Sequence, residues 1–245
     1  MSKYAVLHIQ KGKGDGGALG RHIDRIGKQK ENINQEYSRM NLKVHHPPGK
    51  YVATTLMRSE RGCLAKKITQ RIKEGKTDGK AVRKDAVKYL SLILSMSHGV
   101  KIPEFNKWVA RNYVFLEKEF GKDNIVDFTL HMDERTPHIH ATIVPITSDG
   151  RLSAKEVVGD RKNLSSLQDR YAQAMEPYGL ERGHHYLPGE HVPRHTDINE
   201  YYTILEKEDK AILEDFEVMK AKYIAERKKA EIEQKKTIKK RGFRI

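Results

Sequence analysis

Residues 4–10 alternate in side, with Tyr4, Val6 and His8 facing one way and Ala5, Leu7 and Ile9 the other. Apolar character on both sides predicts a buried central strand. A glycine-rich basic loop, KGKGDGG at 11–17, follows it. Leu64, Ile68 and Ile72 recur every four residues, which predicts a helix ended by the glycines at 75 and 79. A second helix is expected over 83–96, through Val87, Leu90, Ile93 and Leu94 to Met96. A third begins near Pro103, a residue suited to the first turn, and carries Phe105, Trp108, Val109, Val114, Phe115 and Leu116 up to Gly121.

Two strands come next. Over 125–132, Val126, Phe128, Leu130 and Met132 share one face and Ile125, Asp127, Thr129 and His131 the other. The short turn DERTP leads into 138–146, where His138, His140, Thr142 and Val144 line one face. Residues 161–178 predict a further helix, and 183–197 form a histidine-rich loop. From Ile198, apolar residues at Tyr202, Leu205, Ile212, Phe216, Met219 and Tyr223 follow a spacing of three and four among charged neighbours, a long helix or coiled coil. The last eleven residues carry six basic groups and no acid. Helices between strands, with one hairpin near the middle, favour an α+β fold: a central antiparallel sheet layered with helices, followed by a long C-terminal helix. The expected organisation is a catalytic domain over 1–198 and a helical extension with a basic tail over 199–245.

Charge narrows the partners. Lys and Arg number 47 against 33 Asp and Glu, a formal charge of +14 over 245 residues, which points to a polyanion. Residues 1–30 hold seven basic side chains and two acidic ones, so the glycine-rich loop reads as phosphate-facing, with Lys11, Lys13 and Arg21 as candidate phosphate contacts. Arg83 and Lys84 are further candidates, equally well explained as a solvated helix start. No apolar stretch is long enough for a membrane helix, and the N-terminus lacks a signal-peptide pattern, so a cytoplasmic protein is expected. A single cysteine, Cys63, leaves any metal site to His, Asp and Glu.

The chemistry concentrates in HMDERTPHIH, 131–140. His138 and His140 alternate onto one strand face, and the turn can fold His131 back beside them, so three imidazoles converge. Such a site suits manganese, cobalt, nickel or zinc better than magnesium, which prefers oxygen ligands. Glu134 is open to three roles: fourth ligand, partner fixing a histidine tautomer, or proton acceptor. Asp133 reads as a turn residue. Charge alone would give DNA affinity without clustered imidazoles, which weighs against a non-catalytic DNA-binding replication or regulatory protein. A metal-dependent nuclease that hydrolyses single-stranded DNA stays open.

This string matches the H-x-D-E-x-x-P-H-x-H signature of the Mob/Pre plasmid mobilisation and recombination proteins, the MobV group of DNA relaxases with an HUH-type metal site. The opening SKYAVLHIQKGKGDGGALGRHIDR, then AVRKDAV at 81–87, FGKDNIVDFTLHMDE, PHIHATIVPITSDGRLSAKEV and YGLERG, resembles the same family over roughly residues 4–183. One departure is the absence of an Asn-Tyr-acidic-Leu element, whose nearest counterpart is Arg39-Met-Asn-Leu-Lys43. The resemblance implies a relaxase-like fold and metal-dependent nicking of one strand at an origin of transfer. His131, His138 and His140 would bind a divalent ion, manganese first. The position matching the family nucleophile is His22, which would carry the 5′ phosphate and allow rejoining. Arg25, three residues on, would face the same phosphate if this turn is helical. Expected partners are single-stranded or supercoiled origin DNA, a second copy through the C-terminal helix, and a conjugation coupling protein.

Overall fold

The computed structural model describes residues 3–29, 32–45, 52–55 and 61–184. These lie in the first of two compact units of the chain, Met1–His185. The long helix expected after residue 198, the boundary there, and residues 185–197 of the histidine-rich loop fall outside the described residues.

Seven strands make one sheet: β1 Tyr4–Gly12, β2 Leu42–His45, β3 Val52–Thr55, β4 Tyr89–Met96, β5 Ile125–His131, β6 His138–Ile143 and β7 Glu181–Arg182. They lie in the order β3-β2-β5-β6-β4-β1-β7. All pairings are antiparallel except the two-residue parallel contact of β7 with β1. Around them lie α1 Gly17–Ile23, α2 Leu64–Gly75, α3 Phe105–Phe120, α4 Ala154–Val158 and α5 Arg161–Met175. The α+β layering read from the sequence is therefore the architecture.

One sheet face carries the main core. Leu7, Leu90, Leu92, Leu94, Phe128, Leu130, Ile139 and Ile143 pack with Trp108, Leu116 and Phe120 of α3 and with Leu167, Tyr171 and Met175 of α5. α5 starts on Asp160, whose carboxylate accepts the Asn163 N–H at 3.0 Å, a side-chain cap for an otherwise orphaned donor. On the opposite face Ile23, Leu64 and Ile68 of α1 and α2 pack with Val144 and Ile146. Val126 joins this second cluster because the β5–β6 register shifts between Ile125 and Asp127.

Two expectations are corrected. Residues 89–96 are strand, not the end of a helix begun at Arg83. Leu90, Ile93 and Leu94 do fit helical spacing, but Leu90, Leu92, Leu94 and Met96 are all buried, a period of two satisfied by β1 on one side and β6 on the other. Arg83 and Lys84 accordingly sit exposed in a turn before β4, not on a helix. Second, β1 is not central: it lies next to the short edge strand β7, and Leu7 is its one buried residue.

Candidate functional site

The β5–β6 hairpin places His131 directly opposite His138, and Thr129 opposite His140. Paired residues and residues two apart share a face, so the three imidazoles leave the sheet on one side. Their ring centroids are 4.7 to 5.3 Å apart. One donor atom from each ring lies within 4.8 Å of the others. His131 and His140 are buried, and His138 is partly so.

α1 brings the fourth histidine. The His22 ring centroid lies 5.4 Å from that of His140 and 6.3 Å from that of His131. The glycines before it serve packing. A Cβ on Gly12 would fall 2.1 Å from the Tyr89 ring, and one on Gly16, which has φ +82°, would strike Ile68 at 2.5 Å. The close approach these two glycines permit is to Tyr89 and α2. Lys13 and Arg21 are exposed. Lys11 is exposed too, but its register opposite Leu90 puts it on the α3–α5 side of the sheet, away from the histidines.

Arg25 does not present itself to solvent. Its side chain is 6% exposed, with Nη2 donating to Asp133 Oδ1 at 2.7 Å and Glu134 Oε1 at 2.7 Å, and Nε donating to Asp133 Oδ2 at 2.9 Å. Nη2 also stands 2.9 Å from His131 Nδ1, while His131 Nε2 is 2.8 Å from the Ile23 carbonyl. A carbonyl only accepts, so Nε2 carries the proton and Nδ1 accepts from Arg25. Helical spacing from His22 is not what places this guanidinium: α1 ends at Ile23, and Arg25 adopts φ +54°. Asp133 is more than a turn residue. It is buried and also accepts from Ser38 Oγ and Asn41 Nδ2, both at 2.7 Å. Burial alone would raise its pKa, but the hydrogen bonds from Arg25, Ser38 and Asn41 outweigh this and hold it well below the usual carboxylate range. Glu134 takes Asn32 Nδ2 on its second oxygen at 3.1 Å, and its first lies 3.7 Å from His138 Nε2. Ser38, Asn41 and Asn32 carried no sequence signal, since Ser38 and Asn41 lie 95 and 92 residues from Asp133 along the chain.

The cluster fits a divalent cation. His138 Nε2 and His140 Nε2 face each other at 3.1 Å, close to the ~3.0 Å separating two nitrogens at right angles about an ion ~2.1 Å away. Burial lowers the pKa of His131 and His140, with neighbouring Arg25 and the other imidazoles adding to it, so both stay neutral and able to donate a lone pair. One guanidinium against two carboxylates leaves a formal charge of −1 beside them, the sign a cation needs. For His131 to ligate through Nδ1, the Arg25 contact opens while Arg25 keeps Asp133 and Glu134.

A family model described as "Plasmid recombination enzyme" (Mob_Pre) matches residues 1–203. A plasmid recombination enzyme type 3 of Staphylococcus aureus is 34% identical over 188 residues, covering 74% of this chain and 43% of the relative. A 65 kDa protein of Zymomonas mobilis is 32% identical over 197 residues, covering 75% and 30%. The chain thus spans less than half the length of these curated relatives. Among solved structures, the MobM relaxase domain bound to plasmid pMV158 oriT DNA in a Mn-bound crystal is 25% identical, with a TM-score of 0.67, covering 82% of this chain and 99% of that one. A second Mn-bound crystal form of the same complex gives 26% and 0.66.

Proposed function

This chain belongs to the Mob_Pre family of plasmid recombination enzymes, and from that premise we propose that it is a relaxase that nicks one DNA strand at an origin of transfer and carries the 5′ end on His22. The observation that carries the reading is the placement of His22 on α1 beside a buried three-histidine cluster on the β5–β6 hairpin. The chain's likeness in fold to a Mn-bound relaxase domain in complex with oriT DNA supports it.

His131, His138 and His140 would hold the ion, with manganese favoured by the relatives. When bound, the ion supplies Lewis-acid polarisation of the scissile phosphate and stabilises its transition-state charge. A bare nitrogen of His22 forms the bond to phosphorus as the bond from phosphorus to the 3′ oxygen breaks, and the released 3′ oxygen takes a proton. The phosphoramidate keeps the strand activated, so attack by the 3′ hydroxyl reverses the step and reseals the DNA. Arg25 is engaged by Asp133 and Glu134 rather than reaching for phosphate directly. The three roles stay open to Glu134, which accepts from Arg25 and Asn32, lies 3.7 Å from His138 Nε2 and has lone pairs to spare for an ion. Incubation with single strands labelled at the 3′ end and tiled across the DNA flanking its own gene, with and without manganese, tests the proposal. A label that stays with the protein on a denaturing gel only with manganese supports it, and a released, protein-free product would favour the hydrolytic nuclease.

Lys13 and Arg21, with the exposed Arg83 and Lys84, are the candidates for backbone contact, and Lys11 would reach DNA only where the strand wraps the far side of the sheet. With a chain charge of +14, origin binding that neutralises about six to ten phosphates weakens roughly 10³- to 10⁵-fold between 50 and 200 mM salt, measurable by fluorescence anisotropy. A flat response would place the charge outside the interface.

No helix among the described residues is long and apolar enough to cross a membrane, which accords with a cytoplasmic setting for origin DNA. The stripe of apolar residues from Ile198 to Tyr223 suits self-association or docking on a conjugation coupling protein. Truncation after residue 198 is expected to preserve nicking and to reduce any dimer seen by light scattering. Loss of nicking with an intact fold would instead put that segment in the active site.

A further inference from the structure

Lys43 is a lysine almost without access to water, 3% exposed. Its Nζ lies 2.8 Å from Asp127 Oδ1 and 3.1 Å from Asp24 Oδ1, and both acids are buried. Lys67 of α2 reaches within 3.8 Å of the same Asp127 oxygen, so two cations face two anions. Burial alone would lower the lysine pKa, but the two carboxylates outweigh it and raise it, keeping the ammonium charged. Burying each ion costs several kcal/mol before pairing recovers any of it, and apolar replacements of buried ion clusters are often as stable. Stability is thus a weak reason for the cluster to exist. Its placement supplies a better one.

Three elements meet at this ammonium. Asp24 directly follows α1, two residues after His22, and its second oxygen accepts the Gly62 N–H at 2.7 Å. Lys43 belongs to β2, and Asp127 to β5, four residues before His131 and on the same face of the sheet. The next residue after Asp24 is Arg25, whose left-handed φ of +54° is unfavourable for a residue that carries a side chain. That turn sends the guanidinium back to Asp133, Glu134 and His131. Such a conformation persists where surrounding contacts over-determine it, and Asp24 is fixed from two sides.

We propose that Lys43 is a positioning residue: bridging Asp24 and Asp127, it clamps the end of α1 to β2 and β5 and so sets where His22 stands over the three-histidine cluster. This rests on the reading of His22 as the nucleophile. A nucleophile displaced by about 1 Å can lose ~10²-fold in rate while binding is kept. Lys43 itself touches neither DNA nor metal in this scheme.

The test uses Asp24→Asn, which removes the charge while an oxygen of the same shape can still accept from Gly62, and the charge-balanced pair Lys43→Met with Asp24→Asn, which leaves Asp127 with Lys67. For each, thermal melting, manganese binding by calorimetry, affinity for the origin strand and the single-turnover rate of covalent adduct formation at saturating DNA are measured. Both variants are expected to fold, to bind manganese and DNA within about threefold of the parent, and to form adduct ~10- to 100-fold more slowly. An Asp24→Asn protein with the parent's rate overturns the proposal. So does one whose manganese affinity falls in step with its rate, since the cluster would then act on the sheet, or one that does not fold, since the cluster would then be purely structural. His22→Ala is run in parallel. If it retains the adduct, the nucleophile assignment has failed, whereas loss of adduct in His22→Ala beside a normal rate in Asp24→Asn sinks the Lys43 proposal alone.

Discussion

His138→Ala is expected to weaken manganese binding by well over 100-fold and to abolish nicking at micromolar manganese, with the fold intact. Residues that merely support a metal ligand are worth ~10- to 100-fold in affinity or activity, so loss of a ligand should exceed that range. The fold should survive because His138 is the partly exposed member of the three, and its strand neighbours Ile139, Ala141 and Ile143 carry the burial. His131→Ala should cost more stability, since it removes a fully buried side chain and takes from the Ile23 carbonyl the ring N–H it accepts. The pH dependence has a definite sign. His131 and His140 have pKa values held below the ordinary 6.5, so below that pH the unfolded chain binds protons the folded one does not. Stability of the metal-free protein is therefore fully present above pH 6.5 and falls as the pH is lowered beneath it. Calorimetric titration and thermal melts of metal-free protein check both. Undiminished nicking by His138→Ala in excess chelator would remove the metal from the scheme.

His22→Ala is expected to form no covalent DNA adduct, a loss of at least ~10³-fold in single-turnover capture, since removing a nucleophile can cost on the order of 10⁶ in rate. Manganese and DNA binding should change little. The His22 ring lies at the edge of the cluster, 5.4 Å between centroids from His140, and His22 is not among the three converging ligands. Adduct at the normal rate in this variant would move the chemistry to another side chain, with eleven tyrosines available.

The parts of this molecule legible in its sequence are those fixed by local periodicity. The hairpin announced itself because alternation places His138 and His140 together and a short connection, residues 132–137, returns the chain onto His131. α3 was legible from its apolar spacing up to Gly121, although it begins at Phe105, leaving Pro103 in the turn before it, and Val114 is exposed. The strand over 89–96 was not, because Leu90, Ile93 and Leu94 satisfy both periods and only pairing with β1 and β6 decides between them. Arg25 shows the same limit at the site. Its spacing from His22 suggested a shared phosphate, but a left-handed turn redirects it onto carboxylates more than a hundred residues away. The buried Lys43 had no local signature at all, since a lysine in a β2 strand reads as a surface residue until Asp24 and Asp127 are brought against it.

The most direct measurement is the acid stability of the covalent product, with its attachment site mapped by mass spectrometry. A phosphoramidate on histidine is hydrolysed by mild acid and survives alkali, whereas a phosphotyrosine ester tolerates acid. The account predicts that the labelled strand leaves the protein on brief acid treatment and that the nucleotide-bearing peptide from neutral digestion carries its mass on His22. An adduct that withstands acid, or a nucleotide mapped to a tyrosine, would contradict it.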